Sequence, residues 1–310
     1  ITGLVGSEMC IRDRAVAEAA SQCSGGGVSV SVDLNKDHKD RQVASLTASP
    51  AEFTSSLANN SALSALMNDG LVRPLNNLIA KHASGLQDMQ FVTVDGEVMA
   101  IAYMANAQHL FYRSDILDAA GVAPPKTYEE VLAAAKTIKD KGLMEYPIAG
   151  TYAGWNLGLE FINMYLGHGG EFFEGGSAKP AVNNSKGVAT LNMMKSLTEY
   201  MNPDFLTYDS NAVQADWEAG KVALTNLWGS RAGPVTDGEG STPEIESNTK
   251  FTSAPTVAGG SRPATTLWWD GFTVATNISD EDAEATFKAM MNGISTQMAV
   301  ANAEKANWLI

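Results

Sequence analysis

Asp95-Gly96 stands between two apolar runs, Gln90 to Val94 and Glu97 to Tyr103. An Asp-Gly pair in that setting supplies the left-handed backbone of a tight hairpin, so the two runs are predicted to be antiparallel neighbours. Around the hairpin, short strands alternate with helices. Val28 to Val32 alternates apolar and polar residues with period two, as a half-buried strand does. His38 to Leu46 reads as a helix, Ala51 to Leu57 as a strand, and Ala62 to Asn68 as a helix that Gly70 ends. The best helix is Thr127 to Lys141. Thr127 and Glu130 form a capping box, Val131, Leu132, Ala135 and Ile138 make one apolar face, and Gly142 supplies the stop. This alternation, without the regularity of a barrel, indicates an α/β protein.

The second half continues in the same way. His109 to Arg113 and Tyr146 to Ala149 are predicted strands, and Gly154 to Leu166 a helix with Trp155 near its start. Ser185 to Met201 is a Met-rich helix expected to bury Val188, Leu191, Met194 and Leu197. Ala212 to Ala219 is a short helix ended by Gly220, followed by a strand over Lys221 to Leu227 and loop chemistry from Trp228 to Pro234. Asp237 to Thr249, rich in Gly, Ser, Pro and acids, is expected to be an exposed loop. Ser279 caps a helix whose acidic first turn suits the dipole, and Gln297 begins another that runs to the apolar stop at Ile310.

With 310 residues the chain is long enough for two lobes, each with a core. A formal charge of −14 disfavours nucleic acid and anionic membrane surfaces, both of them polyanions. Cys10 and Cys23 are the only cysteines, too few for a disulfide framework or a Cys-rich metal site. There is no His-Glu-x-x-His, Cys-x-x-Cys, Gly-x-Ser-x-Gly, P-loop or dinucleotide fingerprint, so no metal, catalytic or cofactor site is expected. Residues 1–14 show no strand or helix periodicity, and Val5 to Arg14 resembles a translated sequencing-adapter read-through. That segment is expected to lie outside the fold, with both native ends of the chain missing.

The most informative strand is entered after Pro263 and contains Trp268-Trp269-Asp270. Neighbouring strand residues point to opposite faces, so the two indoles cannot share one core. One is expected inside, and the other faces a cleft or solvent with Asp270 beside it. A flat apolar ring next to a hydrogen-bonding carboxylate suits a sugar. Two aromatics filling space on either side of a sheet would account for the same residues.

Three runs carry a family likeness. The first spans Val94 to Tyr103, Phe111 to Leu117, Ala120-Gly121-Val122 and Pro125 to Glu130. The second is Trp217-Glu218-Ala219-Gly220-Lys221-Val222-Ala223-Leu224-Thr225. The third is the tryptophan strand with the Ser279 helix. Together they resemble the family 1 extracellular solute-binding proteins of ABC importers. Met104 stands where the family usually has proline, and Arg113-Ser114 where it has Asn-Lys. The resemblance implies a two-lobed, periplasmic-binding-protein-like fold (type II) with a hinge. Lobe 1 would comprise residues 15–105 and 252–293, and lobe 2 residues 106–251 and 294–310.

The resemblance also implies that the chain captures a sugar, oligosaccharide or polyol between the lobes and passes it to ABC permease subunits. It would do so as a monomer, in the periplasm or as an extracellular, membrane-associated protein. Positions matching the family's ligand-facing loops are Asn59, Asn60, Asn106, Tyr152, Trp155, Trp228, Gly229, Ser230, Arg231, Trp268, Trp269 and Asp270. Several have a plainer reading. Asn59 and Asn60 can cap the helix at Ala62, Asn106 can be a hinge residue, and Trp228 can be core. Arg231 can clamp a carboxylate or phosphate, in which case the solute is an anion such as glycerol 3-phosphate, or it can pair with a nearby acid. A carbohydrate-active enzyme using two carboxylates is the rival from another class.

Overall fold

The computed structural model describes residues 2–6, 11–23, 29–34, 38–83, 85–257, 259–305 and 308–309. The chain opens with β1 (Thr2–Gly6), α1 (Ile11–Ser21), β2 (Ser31–Leu34), α2 (His38–Thr47), β3 (Ser55–Asn59), α3 (Leu63–Asn68) and α4 (Asn76–His82). The hairpin β4 (Phe91–Val94) and β5 (Glu97–Asn106) follows, then β6 (Gln108–Arg113), α5 (Ser114–Ala120), α6 (Tyr128–Asp140) and β7 (Ile148–Ala149). Next come α7 (Trp155–Gly167), α8 (Ser185–Thr198), α9 (Ser210–Glu218), β8 (Leu224–Trp228), α10 (Pro243–Asn248) and β9 (Thr249–Ser253). The last elements are β10 (Trp268–Val274), α11 (Asp280–Gly293) and α12 (Thr296–Ala301).

These elements form two compact units. Unit 1 is Ile1–Asn106 with Trp268–Ile310, and unit 2 is Ala107–Leu267. The expected boundaries are corrected at three places. Asn106 ends β5 and belongs to unit 1. The return crossing lies at Leu267, not near Phe251, because β9 pairs along its length with β6. Residues 294–310 belong to unit 1, where the Leu309 N–H donates to the Tyr103 carbonyl and Trp308 bridges Met104.

Unit 1 is built on a six-stranded mixed sheet in the order β2-β1-β3-β10-β5-β4. β1 is parallel to both β2 and β3, so Thr2–Gly6, expected outside the fold, lies within the sheet. β10 runs antiparallel between β3 and β5. Strand alternation divides the apolar residues between two faces. Leu57, Ile101 and Phe272 pack on one with α1 and α11, while Ala58 and Ala100 pack on the other with Leu46, Leu63 and Leu66.

Unit 2 holds a four-stranded sheet in the order β7-β8-β6-β9, again with a core on each face. The capping box of α6 is present. Thr127 Oγ1 accepts the Glu130 N–H at 3.1 Å, and Glu130 Oε2 accepts the Thr127 N–H at 3.3 Å. Two expectations fail in unit 2. α8 buries Gly187, Thr190, Met194 and Leu197, leaving Val188 and Leu191 exposed. Within the expected loop, Thr242 caps α10, Pro243 occupies its first turn and Ile245 is buried. At the chain end α12 stops at Ala301, well short of the expected helix to Ile310.

Candidate functional site

In unit 1, six of the candidate residues meet at one end of the sheet. The last residue of β3, Asn59, lies opposite Asp270 near the start of β10, and Asn106 at the end of β5 lies opposite Trp268. The Trp268 indole N–H donates to Asp270 Oδ1 at 3.0 Å, as expected for residues two apart on one face of a strand. Asn60 Oδ1 accepts the Trp269 backbone N–H at 2.9 Å. Asn59 does not cap α3: its Oδ1 accepts the Ser61 N–H and hydroxyl at 3.0 and 2.8 Å, closing a local turn, and Ala62 is the N-cap.

Both indoles are half-buried. Trp268 packs on the α1/α11 side of the sheet and Trp269 on the other, so neither is wholly inside and neither stands free. A bulge follows directly. Asp270 pairs with Met104 but Gly271 pairs with Ala102, so β5 carries an extra residue there. A Cβ on Gly271 would sit 2.5 Å from the Ile101 carbonyl oxygen, so the close approach of the strands requires glycine. The result is two indoles, three amides and one carboxylate at a single sheet end. These are donors, acceptors and flat apolar faces, without a cation among the six.

In unit 2 the candidates divide. Trp228 ends β8, buried, opposite Gln108, and the Gly229 N–H donates to the Ala107 carbonyl at 2.8 Å. Gly229, Ser230 and Arg231 form one 3-10 turn. Arg231 Nη1 donates to Gln214 Oε1 at 2.7 Å, and the Gln214 amide donates in turn to Glu218. Trp155 opens α7 and is 64% exposed. Tyr152 is different: it is a core residue, packed edge-on against Phe205 at 5.8 Å, not a ring presented to solvent.

One polar group escaped the sequence reading. Buried Gln108 donates through Nε2 to Glu160 Oε1 at 2.6 Å and accepts through Oε1 from Asn163. Thr151 also donates to Glu160 Oε1, Thr266 donates to Asn163, and the Gln108 N–H donates to Thr265 Oγ1 at 2.8 Å. The network ties the first strand of unit 2 to its last residues. Its signal in the sequence was Glu160 and Asn163, three residues apart in a mostly apolar helix. Burial pushes the Glu160 carboxyl up to about 7, against the pull of its bonds from Gln108 and Thr151. Among the described residues there is no cluster of His, Cys, Asp and Glu able to hold a metal, and no helix long and apolar enough to cross a membrane.

The bacterial extracellular solute-binding protein family matches residues 44–294. The chain belongs to that family. Within it, this solute-binding protein is 30% identical over 146 residues to a probable ABC transporter-binding protein of Deinococcus radiodurans. That match takes in 44% of this chain and 34% of the relative, so the chain spans about a third of the curated relative's length. In fold it is similar to the maltose-bound MalE3 of T. maritima, with a TM-score of 0.82 and 19% identity over 99% of this chain and 81% of that one. A ribitol complex of an ABC transporter solute-binding protein from Agrobacterium radiobacter K84 matches at 0.82 and 20% identity, over 100% and 80% of the two chains. The family runs now have a physical meaning. Trp217 is fully buried with its indole N–H on Thr249 Oγ1, and Gly220 takes the left-handed conformation that turns α9 into β8.

Proposed function

We propose that this protein binds a sugar or polyol and delivers it to the membrane subunits of an ABC importer, acting outside the cytoplasm and as a monomer. The reading rests on one observation: the Trp268 indole bonded to Asp270, with Asn59, Asn60 and Asn106 around it, in a chain of this family. Indole faces cover the apolar C–H surfaces of a ring or polyol, and amides with a carboxylate match hydroxyls as paired donors and acceptors. The maltose and ribitol named for the two structural neighbours belong to the same chemical class. Nothing in this chemistry needs a bond to be made or broken, so the protein acts by binding and release.

The test is tryptophan fluorescence or calorimetry over maltose, ribitol, mannitol and glycerol 3-phosphate. Saturable binding of at least one uncharged member, weakened in Trp268→Ala, is the expected result. Binding of glycerol 3-phosphate alone, lost in Arg231→Ala, would replace the sugar reading with that of an anion-binding protein. Trp155→Ala and Ser230→Ala measure in the same titration whether unit 2 contributes.

A further inference from the structure

A cavity of about 20 Å³ lies in the core of unit 2, walled by apolar side chains except at five residues: Tyr128, Tyr152, Glu160, Thr225 and Asn226. None of the five is more than 8% exposed. They come from α6, the segment before α7, α7 itself and β8, so four parts of the unit aim polar groups at one small space. Tyr128 Oη, Tyr152 Oη and Asn226 Oδ1 are buried without a hydrogen-bond partner, whereas Thr225, paired with Phe111 and Ala149, turns its side chain to the other face of the sheet. The Asn226 side chain lies close to the Tyr128 hydroxyl, but not at hydrogen-bond geometry. Three unpaired polar atoms around one cavity in a well-packed core are more than chance leaves in a folded protein, and something small can complete them.

The chemistry of the donors selects the occupant. Two phenolic protons need acceptors, whereas Asn226 Oδ1 needs a donor. Water accepts two hydrogen bonds and donates two. A metal cation would leave both tyrosine protons without an acceptor. Size agrees, since a cavity must offer about 10–15 Å³ to hold one water and cannot take an organic ligand at this volume. Ile148, Ala149, Gly150 and Met201 line both this cavity and a groove of about 310 Å³ along β7.

We infer that the cavity is a binding site for a single internal water, accepting from Tyr128 and Tyr152 and donating to Asn226, with Glu160 in its wall. The water is then the link that joins α6 and β8 to the Gln108–Glu160 network. Removing a hydroxyl without changing shape reads out whether the site is filled. In a hydrated cavity, Tyr152→Phe and Tyr128→Phe each delete a hydrogen bond to the water. The Tm of the full chain should then fall by about 2 °C or more. In a dry cavity the same changes delete an unpaired hydroxyl, and Tm stays level or rises, which overturns the inference. Tm should also be equal in sodium, potassium and choline chloride at one ionic strength; a rise specific to sodium would assign the site to a cation instead. A crystal structure should show one density peak about 2.7–3.2 Å from Tyr152 Oη and from Tyr128 Oη or Asn226 Oδ1. A cavity without that peak refutes the site.

Discussion

At the scale of single residues, the candidate site depends on what backbone geometry permits. Gly271 is the clearest case, since the atoms its Cβ would strike are the backbone of Ile101 and cannot swing aside. Gly271→Ala should destabilise unit 1 by about 1–3 kcal/mol and shift the register that places Asp270 opposite Asn59, measurable as a lower urea midpoint. Asp270→Asn keeps the shape and an acceptor for the Trp268 indole but loses the charge. It should weaken binding of an uncharged polyol by roughly tenfold, about 1.4 kcal/mol, with little change in stability, as calorimetry would show. The residue types at this site were readable from the sequence, because indoles, amides and an acid stood at strand ends. Their partners were not: that Asn60 bonds the Trp269 N–H depends on β3 lying beside β10, over 200 positions away. Tyr152 shows the reverse. A tyrosine suited to stacking on a ligand was legible, but the packing that turned it inward onto Phe205 was not.

At the scale of elements, local signals worked where local chemistry decides. The Asp95-Gly96 hairpin formed with Asp95 and Gly96 both at positive φ, and α6 formed with both halves of its capping box. Thr127→Ala should therefore cost about 1 kcal/mol, seen as a shift in the thermal unfolding of the full chain. α8 shows where local reading runs out. Steps of three residues, 188-191-194-197, drift off one face of a helix with 3.6 residues per turn, whereas 187-190-194-197 stays on it. The true face begins on small residues, Gly187 and Thr190, and a Cβ at Gly187 would collide with the Val182 carbonyl. Hydrophobicity alone could not show that the tightest contact belongs to a glycine. α10 was missed for a similar reason. Thr242-Pro243 is a sound helix start, but it was outweighed by the Gly- and acid-rich composition around it.

At the scale of the whole molecule, a buried acid links stability to pH. The Glu160 carboxyl is raised from 4.5 to about 7 in the folded chain, so the folded state holds a proton that the unfolded state has released between those values. The stability this provides is complete below about pH 4.5 and is lost as pH rises toward 7, a difference of about 3 kcal/mol. Urea unfolding of the wild type should weaken over that interval relative to Glu160→Gln, and equal slopes would remove Glu160 as the cause. The order of the chain through the two units has a further consequence. Unit 2 is one unbroken segment, Ala107–Leu267, whereas unit 1 is split around it. The ends of that segment are held together by the Gln108 N–H on Thr265 Oγ1, so a 107–267 fragment should fold alone with a cooperative melt by circular dichroism. On the ribosome, the later-made unit is therefore the first to be complete. Until residues 268–274 emerge, the unit 1 sheet has an open seam between β3 and β5, which β10 must enter.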